Sequence, residues 1–367
     1  MSKVKLCDIC DFQGGSQPPK SQWITLQQDG YIRMLQIRDF TQPGKVKAEY
    51  VKLTNTTKWC LKDDILIARY GASLGKILTG LSGAYNVAMT KAVPNEAVIS
   101  KKFLYYFLCS DTFQNCILNV GVRAAQAGFN KEDLSNIEIY CPDLSIQNKI
   151  CKILELVDIL INKSKLQLDE LDLLVKSRFI EMFGDIVAND RHWNVMKLEQ
   201  FSYSRLGKML DSKKQNSQNQ LFYLANTNVQ WFSFNLKDLR KMSFNEAEQQ
   251  EFELKEGDLL VCEGGEVGRC AVWHNDITNC FFQKALHRVR CNTNIMNPEY
   301  LSWWFKFQCD KDNFSAVIGS QATIAHLTGV KLKKLLVTVP PVNLQNQFAD
   351  FLKQTDKSKF VVTAKFQ

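Results

Sequence analysis

The chain has 367 residues, 45% of them hydrophobic and 23% charged, which excludes extended disorder and predicts two or three domains at roughly 100–200 residues each. Lys and Arg total 46 against 38 Asp and Glu, a net charge of +8 that favours an anionic partner. Aromatic residues reach 11%, with 23 Phe and 7 Trp, too many for a basic disordered tail.

From the N-terminus, the opening ten residues lack the apolar core of an export signal. No later stretch reaches about 18 uncharged apolar residues. The expectation is a cytoplasmic protein whose 12 cysteines are reduced thiols. Cys7 and Cys10 form a lone CxxC with no second pair, and His192, His274, His287 and His326 never stand at ligand spacing, so no metal site is expected. A short strand opens at Val4-Lys5-Leu6. Strand signals follow at 32–37 and at Ile65–Ala68, the latter running into a glycine turn. A helix is predicted around 103–108 and a closing strand over 137–140, ending at Pro142.

The pattern then changes. Alternating steps of four and three pick out Ile150, Leu154, Val157, Ile161, Ser164, Leu168, Leu171, Val175, Arg178 and Met182, with no Pro or Gly before Gly184. Nearly all are apolar, which marks a coiled-coil seam. A helix of about 40 residues would be roughly 60 Å long.

After this helix the first order of elements starts again. Met196-Lys197-Leu198 repeats the opening strand, 221–225 the middle signal, and 259–261 the strand before the turn. The helix at 300–307 and the strand at 335–339, ending at Pro340, complete the series. An ungapped shift of 193 carries Leu61-Lys62-Asp63 to Leu254-Lys255-Glu256, Leu66 to Leu259, Gly71 to Gly264 and Gly75-Lys76 to Gly268-Arg269. It also carries Asn86 to Asn279 and Lys91-Ala92 to Lys284-Ala285. Further on a shift of 198 joins Gly121 to Gly319, Ala124 to Ala322, Leu134 to Leu332, Pro142 to Pro340 and Ile146-Gln147-Asn148 to Leu344-Gln345-Asn346. The chain is a tandem duplication. Its second seam begins with Phe348 and Leu352, weakens at Thr355 and Lys359, and is shorter than the first, which predicts uncovered side chains at Leu171 and Val175.

Catalytic motifs do not survive inspection. Gly71–Lys76 has three residues between its glycines where a P-loop has four, and Ile77 stands where Ser or Thr would hold magnesium. The turn reads instead as a positive-φ connection whose final cation meets phosphate. Asn297-Pro298-Glu299-Tyr300 lacks the second proline of an adenine methyltransferase signature and reads as a helix start. Glu253-Leu254-Lys255 has no Pro-Asp partner of a nuclease set. What the copies share is an apolar frame, turn glycines and scattered polar side chains, while their middles diverge. Arg, Lys, Asn and Gln on such loops suit DNA bases and phosphates. The candidate DNA contacts are Arg33, Arg38, Arg69, Tyr70, Lys76, Arg123 and Gln126 in the first copy. In the second they are Lys213, Lys214, Gln230, Arg269, Arg288 and Gln321.

The duplicated order of Leu-Lys-acidic-x-x-Leu, Gly-x-x-x-Gly-(Lys/Arg), the Gly…Leu…Pro frames and the Gln147 and Gln345 helices resembles the DNA specificity subunit of Type I restriction–modification systems. The resemblance implies an α+β fold with two target recognition domains, 1–142 and 185–340. Spacer helices would occupy 143–184 and 341–367, packed antiparallel, the second of them short and departing from the family's layout. It implies one half of a bipartite, asymmetric duplex DNA site per domain, with the helices as ruler and docking surface for two modification subunits. A restriction subunit would join them, and S-adenosylmethionine, ATP and magnesium would reside on those partners. Two other readings stay open at this stage: a standalone nuclease or methyltransferase, and a coiled-coil scaffold with no nucleic-acid role.

Overall fold

Each copy is built around a four-residue strand with no polar side chain, Ile65–Ala68 or Leu259–Cys262, buried on both faces. Such a strand lies in the middle of a sheet. In the computed structural model, which describes residues 3–121, 128–209, 220–311 and 326–364, both strands hold that place. The sheet order is Cys10–Gly14, Met89–Pro94, Ile65–Ala68, Ile77–Leu78 in the first copy. It is Ser202–Leu206, Leu286–Cys291, Leu259–Cys262, Cys270–Val272 in the second, all antiparallel. Beside it runs a smaller sheet. There Tyr31–Leu35 pairs in parallel with Gly83–Tyr85, as Gln220–Leu224 does with Phe281–Phe282. A two-stranded ribbon closes each copy, Lys3–Lys5 with Glu138–Tyr140 and Asn194–Lys197 with Leu336–Val339.

The chain divides into two units, 1–162 and 163–367. In the first, Ile65 and Ile67 face Leu104, Leu108 and Phe113, while Leu66 and Ala68 face Leu35 and Tyr85. In the second, Leu259 and Val261 face Tyr300, Phe305 and Phe348, while Leu260 and Cys262 face Phe281, Phe282 and Trp273.

That alternation corrects the sequence register. With a shift of 193, Leu66 would correspond to Leu259, which lies on the opposite face; a slip of one residue inverts a strand. The strands superpose with a shift of 194. Leu61 N–H donates to Asp64 Oδ2 at 3.0 Å, and Lys255 N–H donates to Asp258 Oδ2 at 2.7 Å. After the turn, Lys76 and Arg269 do correspond: Ala68 N–H donates to the Lys76 carbonyl and Cys262 N–H to that of Arg269. From there the ladder advances. Leu66 pairs with Lys91 and Leu260 with Arg288, so the counterpart of Lys91 is Arg288 and not Lys284. Likewise Tyr85 matches Phe282, which makes Gln283 rather than Asn279 the partner of Asn86. The additional residues of the second copy fall in the connection before Phe281, where Asn275 and Asn279 take left-handed φ of 59° and 52°.

Helix starts repeat as well. Ser100 caps Lys101–Cys109 by accepting from Phe103 N–H, and Asn297 caps Pro298–Asp310 by accepting from Glu299 N–H, with Pro298 in the first turn. Asn130 and Thr328 cap Lys131–Ser135 and Gly329–Lys333. The long helix is Leu144–Phe183, 40 residues without a break. Gly184 stops it at φ 73°, its N–H returning to the Ile180 carbonyl at 2.8 Å. In the second unit the helix Val342–Ala364 runs antiparallel to its latter part. Phe348 meets Phe179 and Phe183, and Lys359 pairs with Asp172 at 2.6 Å. Val175, expected to lie uncovered, is buried in that contact. Leu171 is half-buried. Among the described residues no helix is long and apolar enough to cross a membrane.

A candidate nucleic-acid interface on each unit

In the first unit the central strand leads into Arg69 and Tyr70, then the turn that ends at Lys76. Gly75 holds φ of 80°, and Gln114 Nε2 donates to its carbonyl at 3.0 Å, fixing the turn from below. Tyr70 bridges to Gly128, where an added Cβ would lie 2.5 Å from the ring. Arg69 stacks over that ring at 5.1 Å and reaches the Phe129 carbonyl. Arg69 and Tyr70 thus stand beside Gly128 and Phe129. Lys76 is exposed, and its amine has no ion-pair partner among the described residues.

Arg33 and Arg38 gather at a second position. Arg33 Nη2 binds the buried Asp39 carboxylate at 2.7 Å, and Asp39 also accepts the Gln36 N–H at 2.9 Å. Arg38 lies 3.1 Å from Glu49, which also takes Lys20 at 2.5 Å. Lys20 in turn sits over the Trp23 ring at 3.8 Å. Arg33 is therefore held as a brace, whereas Arg38 and Lys20 keep much of their side chains in solvent. Lys20 and Trp23 were not among the expected contacts. Their loop carries no periodicity, and only Glu49, about thirty residues away in sequence, reveals the cluster.

The second unit repeats the arrangement with different fittings. The Glu263 backbone carbonyl accepts the Leu327 N–H at 2.8 Å, much as Tyr70 bridges Gly128, and His326 packs on Gly264. Arg269, the counterpart of Lys76, is only 17% exposed. It pairs with Glu266 at 3.0 Å and donates to the Asn226 carbonyl at 3.1 Å and its Oδ1 at 3.2 Å. Asn226 Nδ2 donates to the Gly264 carbonyl at 2.8 Å, which closes the bracing. Gln230 is exposed on a two-residue strand, tied to the Thr227 carbonyl at 3.2 Å.

Arg288 faces inward. It is 2% exposed, donates to the Glu251 and Glu253 carbonyls at 2.7 and 3.2 Å, and lies over the Phe282 ring. Burial pulls its pKa below the ordinary guanidinium value. Its counterpart Lys91 does the same, donating to the Trp59 carbonyl at 3.1 Å. Both cations lock the frame, so Arg288 leaves the set of candidate contacts. Arg123, Gln126, Lys213, Lys214 and Gln321 lie outside the described residues, as do Ala124, Gly319 and Ala322 of the repeat.

Two glycines that sequence reasoning passed over shape the same end of each sheet. An added Cβ on Gly15 would lie 2.0 Å from the Asn86 carbonyl oxygen, and on Gly207 2.3 Å from that of Gln283. Only glycine permits the crossing. Both stand one residue beyond a strand, Cys10–Gly14 or Ser202–Leu206, that the sequence did not lead us to expect.

Comparison with known proteins matches the family model described as Type I restriction modification DNA specificity domain twice, over residues 1–171 and 190–365. A putative type I restriction enzyme specificity subunit of Haemophilus influenzae is 25% identical over 263 residues, 69% of this chain and 64% of that protein. The matched part thus spans less than two thirds of that relative. Among solved structures, the S subunit of a Type I restriction–modification system from M. genitalium aligns with a TM-score of 0.55 at 15% identity, over 99% of this chain and 93% of that one. A chain from a study of complex assembly and conformational transition of the type I R-M system gives 0.57 at 16%, over 99% and 94%. At these identities the structures speak to the fold.

Proposed function

Because the chain belongs to the Type I restriction modification DNA specificity family, we propose that each unit reads one half of a bipartite, asymmetric duplex DNA site. The observation that carries this reading is the double match laid on a double fold, in which each copy has the same order of strands in its main sheet and a glycine turn after the central one. One frame with two different faces suits two readers of different sequences.

Within this reading the exposed cations position the duplex. Lys76, Arg38 and Lys20 would meet phosphates, and Arg69, Tyr70 and Gln230 would approach base edges or sugars. Arg123, Gln126, Lys213, Lys214 and Gln321 stay in the proposal on their sequence positions alone. Two modification subunits and a restriction subunit would dock on the chain. Those partners would bring S-adenosylmethionine, ATP and magnesium, and the reactions would be theirs.

Mapping methylated adenines in a host that carries the complete system tests the proposal. A two-part motif with an unspecified gap is expected. A continuous motif, or methylation unaffected by deleting this chain, would reject it.

A further inference from the structure

The ribbons that close the two copies have the same register and opposite chemistry. In the first, Lys3 pairs with Glu138 at 3.6 Å and lies over Tyr140, with Lys5 beside them, so the outward face is charged. In the second, the positions of Lys3 and Glu138 are held by Val195 and Leu336. They are 44% and 64% exposed. The ion pair has become an open apolar pair.

Behind it lies a cavity of about 570 Å³, walled by Ile186, Trp304, Leu335 and Leu336 and rimmed by Lys331 and Lys334. That is within the range of sites, about 300–1,000 Å³, that take a few large side chains. Asn189, Gln308 and Thr338 add polar groups to its wall; Thr338 accepts the Trp304 indole N–H at 3.1 Å, and Asn189 is held by the Trp193 backbone. Three exposed lysines belong to this face: Lys334 of the lining, Lys333 next to it in the chain, and Lys197, the register partner of Leu336. None of these three has an ion-pair partner among the described residues. An apolar mouth ringed by unmatched positive charge is complementary to leucine-type side chains interspersed with carboxylates.

We propose that this face of the second unit docks an acidic amphipathic helix of a partner protein. Its apolar residues would enter the cavity past Val195 and Leu336, and its carboxylates would meet Lys197, Lys333 and Lys334. Duplex DNA fits the lysines and has no use for the apolar mouth, and the first copy, with its own charged ribbon, offers no such site.

The test uses the full chain and a fluorescein-labelled synthetic helix with Leu on one face and Glu on the other, read by polarisation. Two control peptides replace Glu by Lys, or Leu by Ala. Val195→Lys with Leu336→Glu installs the first copy's own ion pair, and Lys333→Glu with Lys334→Glu reverses the rim. Each variant should weaken binding of the acidic peptide at least about tenfold, and both control peptides should bind at least about tenfold more weakly to the unaltered chain. Equal binding by all three proteins, or by all three peptides, overturns the proposal. So does loss of random-sequence duplex binding in the rim variant with peptide binding intact, which would make the face a nucleic-acid surface. If melting shows the ribbon variant misfolded, the rim variant and Leu336→Ser decide.

Discussion

Lys76 and Arg269 close the same turn in the two copies, yet their side chains have different work. Lys76→Ala should leave stability within about 0.5 kcal/mol and lower the salt slope of DNA binding by about one. Arg269→Ala should destabilise the second unit by roughly 1–3 kcal/mol, since it strands the half-buried Asn226 acceptors and breaks the pair with Glu266, and urea denaturation separates the two outcomes. The sequence shows a cation after a glycine in both places. It does not show Asn226, which is distant in the chain, and so the two roles were indistinguishable there. Arg288 was opaque for the same reason, its partners being backbone carbonyls that any residue could supply. His287 gives a prediction in pH. Its Nε2 donates to the Leu327 carbonyl at 2.8 Å, and burial lowers its pKa below the ordinary value of 6.5. The folded state therefore favours the neutral ring. This stability is complete above about pH 6.5 and is lost as pH falls through the lowered value, because the unfolded chain takes the proton first. His274 works in the other direction, its pKa raised by the hydrogen bond to Glu299. The His287 contribution is thus read from a difference: His287→Gln should lose less melting temperature than the unaltered chain between pH 7.5 and 5.5 (on the order of two units across the His range). An identical loss in both would refute it.

Elements were more legible than residues wherever a period ran long. The seam from Ile150 to Met182 announced an uninterrupted helix because heptad spacing kept over so long a stretch has few other solutions. Short strands carried less information. Identities at Leu66 and Leu259 suggested one register, and the hydrogen-bonded ladder imposed another, because a strand is placed by which face its side chains bury. Gln147 and Gln345 look like ordinary helix residues in sequence. Both are fully buried. Gln147 Nε2 donates to the Val98 and Pro142 carbonyls at 2.8 and 2.7 Å, and its Oε1 accepts the Ser100 N–H at 2.9 Å. Gln345 does the same with Ile295, Pro340 and Asn297, at 3.1, 2.7 and 2.8 Å. Each ties its helix to the cap of an earlier one, Lys101–Cys109 or Pro298–Asp310. Gln345→Ala should cost about 2–3 kcal/mol and speed amide exchange at 292–301, with the 95–104 segment unchanged. Uniform acceleration in both copies would contradict this.

At the scale of the molecule, the duplication itself was plain from identities, and the α+β class followed from its repeating order of strand, turn and helix. The surroundings of the candidate contact residues were only partly readable, because divergent loops have no period and their contacts are made across long sequence distances. If the long helix serves as a ruler, inserting about four residues near Ser164 adds about 6 Å of helix and nearly restores the packed face. The recognised gap should widen by about one or two base pairs with both half-sites unchanged. Methylation mapping of the variant would show a fixed gap if the helix is no spacer. The buried glutamines carry one more consequence, in the language of genes. All partners of Gln147 lie between Val98 and Pro142, and all partners of Gln345 named above lie between Ile295 and Pro340. A crossover that falls just past either codon hands on a unit with its fastening complete. One that falls between codons 100 and 147 joins a helix to a cap it was never fitted to. Recombination among relatives should therefore leave its scars beyond the glutamine, and chimeras cut there should stay folded where those cut at Pro142 lose stability.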